Sequence, residues 1–181
     1  MRRLLLLLVV EILCVFSCVS FAEEAAPANP LALSTTGFLD QGTMPVVYTC
    51  DGKDMSPQFS WTGAPPKTQS LAFIVSDPTA PSGTFYHWVL YNIPTSVIEF
   101  PEGMDKVPAG VQVGKNSWNK ARYNGPCPPK GSAHTYTFTL YALDTKLSVP
   151  AGADGKTVTN ALAKHIIGKI EITAVYSRWL S

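Results

Sequence analysis

Residues 135–143 read TYTFTLYAL, and this stretch decides the fold class. Large apolar residues occupy alternate positions, with threonines largely between them, which is typical of a strand with one buried face. The segment KIEITAVYSRW at 169–179 alternates in the same way. Two segments, SLAFIVSD (70–77) and HWVLYNI (87–93), are more continuously apolar, as in central strands covered on both faces. Shorter strand candidates lie at 31–39, 45–49, 58–62 and 111–118.

A single helix is predicted late in the chain. Its apolar face follows the spacing i, i+3, i+4, i+7 and i+8, and Gly168 supplies a C-cap signal. The 15 prolines and 13 glycines among 181 residues indicate many turns and few long helices. We therefore expect one mainly β, mostly antiparallel domain with a helix before its last strand. The helical positions are Val158, Ala161, Leu162, His165 and Ile166.

The N-terminus has the organisation of a secretory signal peptide. Residues 1–22 contain two arginines, a leucine-rich run and small residues at Ser20 and Ala22, which predicts cleavage after Ala22. An uncleaved anchor and a lipoprotein acylated at Cys18 are alternatives. Residues 23–30 read as a flexible lead-in, so the folded domain is expected at 31–181 in a periplasmic or secreted protein.

Removal of this segment balances the charge. The chain has 14 basic and 13 acidic residues, and loss of Arg2, Arg3 and Glu11 leaves 12 of each. A neutral chain without a basic run has no electrostatic reason to bind nucleic acid or anionic membranes.

The same cleavage leaves two cysteines, Cys50 and Cys127. One pair in an exported chain predicts a disulfide between the C-D-G turn at 50–52 and the proline-rich loop, with two buried free thiols as the alternative.

Polar residues collect where predicted strands begin or end. Asp77 follows an apolar strand and precedes a turn fixed by two prolines, and His87 begins the next strand. Taken singly, Asp77 also fits a capping residue and His87 a packed core histidine. Farther along, His134 and Tyr136 lie two residues apart, on one face of a strand.

The loop before His134 contains Pro126, Pro128 and Pro129. Because proline has no backbone N–H, this loop is predicted to be a stiff apolar wall rather than a phosphate nest. A wall with a few convergent polar groups is typical of a small-molecule pocket.

Several motifs, in their order and spacing, resemble the phosphatidylethanolamine-binding protein family, and especially its bacterial Raf kinase inhibitor-like branch. The resemblance covers about residues 31–181. The motifs are CDGKDMSPQFSW (50–61), DPTAPSGTFYHW (77–88), GPCPPKG (125–131), HTY (134–136) and LYALD (140–144).

The resemblance implies a large antiparallel sheet packed with a smaller one, and one or two short helices. It also implies a pocket for phosphate or a phosphoryl head group, such as that of a phospholipid. Because the sequence contains none of the usual nucleophile or metal-binding motifs, we expect this pocket to be non-catalytic, with no metal or cofactor. A homodimer is possible. By motif, the residues expected to line the pocket are Asp77, His87, Gly125, Pro126, His134 and Tyr136.

The chain departs from the family pattern at three places. Thr79 stands where relatives usually have a second aspartate, and Thr135 where they often have arginine. The sequence ends directly after a predicted strand, so we expect no C-terminal helix over the pocket.

The histidines suggest a mechanism of binding. Near pH 6.5 an imidazole can become imidazolium, and Asp77 is expected to favour that form of His87 or His134. An imidazolium and the Tyr136 hydroxyl would then bind phosphoryl oxygens, which predicts stronger binding as the pH falls.

Three other functions fit the same residues. Two histidines and one carboxylate can hold a metal ion, or an acid and a base can hydrolyse a phosphoester weakly. Alternatively, the pocket is vestigial and the surface binds another protein. Arg122 is read as solvated, Asp51 and Asp54 as turn residues, and Trp118 as core or pocket wall.

Overall fold

The computed structural model describes residues 30–179. The predicted signal peptide and nearly all of the lead-in lie outside the described residues. Within the described range, no helix combines the length and apolar character needed to cross a bilayer.

The described chain forms two sheets and one short α-helix, so the predicted mainly β fold class is confirmed. A single turn of 3₁₀ helix covers Val46–Tyr48. The elements are β1 (Ala32–Ser34), β2 (Gly42–Thr43), β3 (Phe59–Thr62), β4 (Ser70–Asp77), β5 (Phe85–Ile93), β6 (Glu99–Phe100), β7 (Gln112–Val113), β8 (Ser132–Leu143), α1 (Gly155–Leu162) and β9 (Ile166–Arg178).

The larger sheet has six strands in the order β2-β9-β8-β4-β5-β7, and the smaller has three in the order β1-β3-β6. Neighbouring strands are antiparallel, except that the two-residue β2 lies parallel to β9 at the sheet edge. Long, in-register pairing of β8 with β9 and of β4 with β8 forms the rigid centre of the large sheet.

The two continuously apolar segments are the central strands β4 and β5, as predicted, and both of their faces are covered. On β4, Phe73 and Val75 pack toward the small sheet, whereas Ala72 and Ile74 pack toward α1. The layer between the two sheets is rich in aromatic rings, including Phe59 and Phe138 with ring centroids 5.3 Å apart. Burial of this apolar surface on both faces is the main stabilising contribution to the fold.

The alternation in β8 also matches its burial. Tyr136, Phe138, Leu140 and Ala142 all lie in the layer between the sheets, as predicted. Because successive side chains point to opposite faces, His134 at the start of this row lies on the same face. The pattern that builds the core thus continues directly into the polar site.

Two local predictions are wrong. Residues 45–49 are not a strand, because Pro45 precedes a 3₁₀ turn in which the Thr49 N–H donates to the Val46 carbonyl. The helix ends at Leu162, and Ile166 pairs with Leu143 in the sheet.

The misleading signal was a helical spacing that overlaps the start of β9. Gly168 lies inside that strand opposite Ala142 and is not a C-cap. His165 lies in the connection, where its Nδ1 is 2.8 Å from Asp144 Oδ1. The strands predicted at 31–39 and 111–118 are also shorter than expected, at 32–34 and 112–113.

Candidate functional site

A cavity of about 260 Å³ opens where the ends of β4, β5 and β8 meet the proline loop. Of the six residues predicted to line a pocket, the structure brings four to this cavity: Asp77, His87, His134 and Tyr136. The remaining lining residues are Ala80, Pro81, Ser82, Phe85, Trp118, Cys127, Pro128 and Pro129.

A β-bulge in β5 directs His87 into the cavity. Val75 of β4 pairs with Trp88 and Ser76 pairs with Tyr86, so His87 is the extra residue between them. Trp88 packs in the layer between the sheets, and the bulge lets its neighbour His87 face the same side. In a regular strand the two side chains would lie on opposite faces.

Asp77 and His134 form a buried pair at the floor of the cavity. The Asp77 Oδ2 lies 2.5 Å from His134 Nδ1. The other carboxylate oxygen accepts hydrogen bonds from the Thr79 backbone N–H, at 2.8 Å, and from the Thr79 hydroxyl, at 2.6 Å. Asp77 therefore orients the imidazole of His134, and its Nδ1–H is committed to the carboxylate.

The same contacts explain how the chain accommodates Thr79 in place of a second aspartate. The Thr79 hydroxyl donates to Asp77 and lies 3.3 Å from the backbone N–H of Thr135, which donates to it. A carboxylate at position 79 would place a second negative charge beside Asp77. Threonine instead supplies a neutral hydroxyl that donates to Asp77 and accepts from the Thr135 N–H, which ties the turn to β8.

His87 is also held at Nδ1, but by backbone carbonyls instead of a carboxylate. Its Nδ1 lies 2.8 Å from the Asn124 carbonyl oxygen and 3.1 Å from the Gly125 carbonyl oxygen, so Nδ1 carries the proton and donates. Burial lowers the pKa of His87 below its ordinary value, although the Asn124 and Gly125 carbonyls and the Asp77 charge act in the opposite direction. Asp77 does favour the imidazolium form of His87, as predicted, but desolvation has the larger effect and the net shift of the pKa is downward.

Tyr136 lies between the two histidines. Its ring centroid is 5.1 Å from that of His87 and 6.5 Å from that of His134. Burial, and then the negative charge of Asp77, raise the pKa of the Tyr136 phenol far above its usual value. The phenol is therefore neutral at physiological pH.

The proline wall is present and is formed by two of the three predicted loop prolines. Pro128 and Pro129 line the cavity, whereas Gly125 and Pro126 do not. The Pro126 carbonyl accepts a hydrogen bond from the Cys50 N–H. Gly125 packs so tightly that a Cβ there would clash with the Tyr48 carbonyl oxygen, which explains the glycine without any ligand.

The predicted disulfide joins Cys50 and Cys127, with their Cα atoms 5.4 Å apart. It connects the 50–52 turn to the proline loop, as expected from the two cysteines. Since Cys127 also lines the cavity, the bond fixes one part of its wall.

The sequence analysis missed a supporting network behind His87. The Asp54 carboxylate accepts hydrogen bonds from the Asn124 Nδ2, at 2.8 Å, and from the Gly125 N–H, at 2.6 Å. Asn116 Nδ2 donates to Asn124 Oδ1 at 2.9 Å. The only sequence signal was the position of Asp54 in CDGKD, which was read as a simple turn.

Aromatic residues complete the rim. Trp118 contacts both Phe85 and His87 edge to face, with centroid distances of 4.6 and 5.1 Å, and is 39% exposed. It is therefore a pocket wall, one of the two roles considered for it. No lysine or arginine of the described chain lines the cavity, and Arg122 lies outside it.

Among the described residues that line the cavity, Asp77 is the one that is normally anionic. Within residues 30–179, no group of three or more His, Cys, Asp or Glu side chains is arranged to hold a metal ion.

Comparison with known proteins gives one consistent result. Residues 34–177 match the model of a family described as phosphatidylethanolamine-binding protein. A Methanothermobacter thermautotrophicus relative, a UPF0098 protein, is 42% identical over 149 residues, covering 81% of this chain and 98% of that protein. A Mycobacterium tuberculosis relative named as a candidate lipoprotein, LppC, is 33% identical over 159 residues, covering 87% and 78%.

A solved structure agrees with these sequence relatives. Escherichia coli YbcL, described as a new member of the mammalian PEBP family, superposes with a TM-score of 0.78 at 31% identity. The match covers 82% of this chain and 99% of YbcL.

Proposed function

The chain belongs to the phosphatidylethanolamine-binding protein family, and on that premise we propose that it binds small phosphorylated ligands without turning them over. The phosphoryl group occupies the cavity between His87, His134 and the proline wall. The observation that carries this proposal is the convergence of two oriented imidazoles, one on a buried carboxylate and one on backbone carbonyls, in a single cavity.

The contact with Asp77 leaves His134 one ring nitrogen for a ligand. Asp77 accepts from His134 Nδ1, so Nε2 is the nitrogen that His134 can offer to a ligand. When His134 is protonated, this Nε2–H gives a charge-assisted hydrogen bond to a phosphoryl oxygen while Asp77 balances the imidazolium charge. The cavity volume suits a phosphate with a short substituent, and the rigid prolines reduce the entropy lost on binding.

We also propose that the protein works outside the cytoplasm. The disulfide between Cys50 and Cys127 supports an oxidising compartment. The signal-like N-terminal sequence and the lipoprotein name of the mycobacterial relative point the same way. Cleavage after Ala22 is checked by the N-terminal mass of the exported protein, and an intact Met1 on the exported form would contradict it.

Titration calorimetry with inorganic phosphate and phosphoethanolamine tests ligand binding. We expect saturable binding to the wild-type protein and a loss of at least about tenfold in His134→Ala, because one charged hydrogen bond contributes about 1.5–3 kcal/mol. His165→Ala is the matched control, since His165 also contacts a carboxylate but lies away from the cavity. Absence of binding by the folded wild-type protein would refute the proposal.

The absence of turnover needs its own test. Generic phosphoester substrates should release no product above background when incubated with the protein. Release that disappears in His134→Ala and persists in His165→Ala would instead make His134 a general base and the protein a hydrolase. A partner-binding activity that survives changes at both cavity histidines would identify a surface module.

A further inference from the structure

The hydrogen-bonding role of His87 is fixed by its neighbours. Both contacts of Nδ1 are backbone carbonyl oxygens, those of Asn124 and Gly125, and a carbonyl oxygen can only accept. The proton of a neutral ring must therefore lie on Nδ1. Nε2 then carries a lone pair, and both hydrogen bonds that His87 makes within residues 30–179 are at Nδ1.

The two carbonyls cannot easily turn away from His87. The Asp54 carboxylate accepts hydrogen bonds from the Gly125 N–H and from Asn124 Nδ2. Asn116 Nδ2 donates to the side-chain oxygen of Asn124. The backbone N–H of Asn124 donates to the His87 carbonyl at 3.1 Å, which joins the loop to β5. The tautomer of His87 is thus set by a network that contains no ligand.

The surroundings favour the neutral ring. His87 is 2% exposed and contacts the rings of Phe85, Trp118 and Tyr136. The titratable groups around it are Asp77, His134, Asp54 and Tyr136, and burial lowers the pKa of His87 despite the two carboxylates. Because the proton of the neutral ring lies on Nδ1, Nε2 is a hydrogen-bond acceptor. No lysine or arginine of the described residues lines the cavity beside it.

We propose that His87 acts as a hydrogen-bond acceptor that selects phosphomonoesters, through the P–OH of their singly charged form, over phosphodiesters. This inference rests on the proposed function, since it concerns which phosphoryl ligands the same cavity accepts. A phosphodiester has the same single charge but no P–OH, so it would leave Nε2 buried and unpaired. An unpaired buried acceptor costs about 1–3 kcal/mol, which corresponds to roughly five- to 150-fold in affinity.

The proposal distinguishes two sources of a phosphoryl group. An intact diacyl phospholipid is a phosphodiester, whereas phosphoethanolamine and simple sugar phosphates are phosphomonoesters. The acceptor role of His87 therefore favours soluble monoesters over membrane lipids as occupants of this cavity.

The test uses two ligands of nearly equal shape and charge. Ethyl phosphate carries a P–OH, and ethyl methylphosphonate carries a methyl group in its place. Calorimetry at about pH 5.5, below the second phosphate pKa of about 6, should show ethyl phosphate binding about tenfold more tightly. Diethyl phosphate, a true diester, should bind no better than the phosphonate.

A variant isolates the role of the ring nitrogen. In His87→Asn the amide Nδ2 can replace the Nδ1 donor to the two carbonyls, but nothing replaces Nε2. The ratio of affinities for ethyl phosphate and ethyl methylphosphonate should fall to about one, while His165→Asn should leave it unchanged. If His87→Asn does not fold, equal affinity of the two ligands for the wild-type protein still refutes the acceptor role.

The outcomes separate two failures. If no phosphoryl compound binds, the proposed function itself is wrong. If ethyl phosphate and ethyl methylphosphonate bind wild-type protein equally, phosphoryl binding stands and the acceptor role of His87 is refuted. The same conclusion follows if the preference persists in His87→Asn.

Discussion

Replacement of Asp54 by asparagine should destabilise the protein by about 2–3 kcal/mol. The carboxylate accepts from the Asn124 side chain, at 2.8 Å, and from the Gly125 N–H, at 2.6 Å. Asparagine tolerates the left-handed backbone of position 54, where φ is 54°, so no backbone strain is added. Its oxygen can still accept from Gly125, but its NH₂ group would face the NH₂ group of Asn124.

The Asn124 amide cannot resolve this conflict by rotating. Its oxygen accepts from Asn116 Nδ2, and a rotation would only move the donor–donor contact to Asn116. One charge-assisted hydrogen bond is therefore lost, worth about 1.5–3 kcal/mol, and the bond to Gly125 is weakened. For a chain of this length the loss corresponds to a decrease in Tm of roughly 5–10 °C.

Urea unfolding followed by tryptophan fluorescence measures the change in free energy. Asp105→Asn is the matched control, because Asp105 is exposed and should shift stability by less than about 0.5 kcal/mol. A second readout is the imidazole NMR spectrum, where loss of the Asp54 contacts should loosen the Nδ1–H tautomer of His87. Equal stability of the Asp54→Asn and Asp105→Asn proteins, with an unchanged His87 spectrum, would refute the role given to Asp54.

Three further changes test other parts of the structure. Replacing Cys50 and Cys127 by serine opens a loop with a sequence separation of 77 and should destabilise the protein by up to about 4 kcal/mol relative to oxidised wild type, while dithiothreitol-treated wild type should resemble the variant. Gly125→Ala should lower the free energy of unfolding, measured in urea, by more than about 2 kcal/mol, because the added methyl group meets backbone. Gly52→Ala should have a similar effect, because its methyl group would clash with the Val46 carbonyl. An unchanged stability of Gly125→Ala would show that the loop can shift. Since the folded pKa of His87 is depressed, the unfolded chain binds this proton more readily, so stability should fall with acid below about pH 6.5. That part of the slope should vanish in His87→Asn, and an unchanged slope would contradict a buried neutral ring.

The fold was predictable wherever burial alone selects the pattern. Alternation in β8 and the continuous apolar runs of β4 and β5 gave these strands nearly at their observed limits, since each face of the sheet removes apolar surface from water. Prediction failed where two patterns share the same residues. The positions from Val158 to Ile166 keep helical spacing, yet pairing with Leu143 of β8 draws Ile166 into the sheet.

The candidate site was predictable as a set of residue types but not as a hydrogen-bond network. The motifs identified Asp77, His87, His134 and Tyr136, which do meet at one cavity. The protonation preference of His87 depends on burial and on carbonyls 37 and 38 residues away, which no local pattern reveals. Whether these residues bind a phosphoryl ligand is still a prediction, as is the homodimer.

The extra residue in β5 makes the site sensitive to strand length as well as to side-chain identity. Deleting Tyr86 would restore regular pairing with β4 and turn the imidazole away from the cavity, even though the sequence would still contain the histidine. When homologous chains are aligned, a gap at this point should therefore be treated as loss of the site, however well the flanking motif matches. The same reasoning gives protein engineers a way to disable the cavity without changing its chemistry: shorten the strand by one residue.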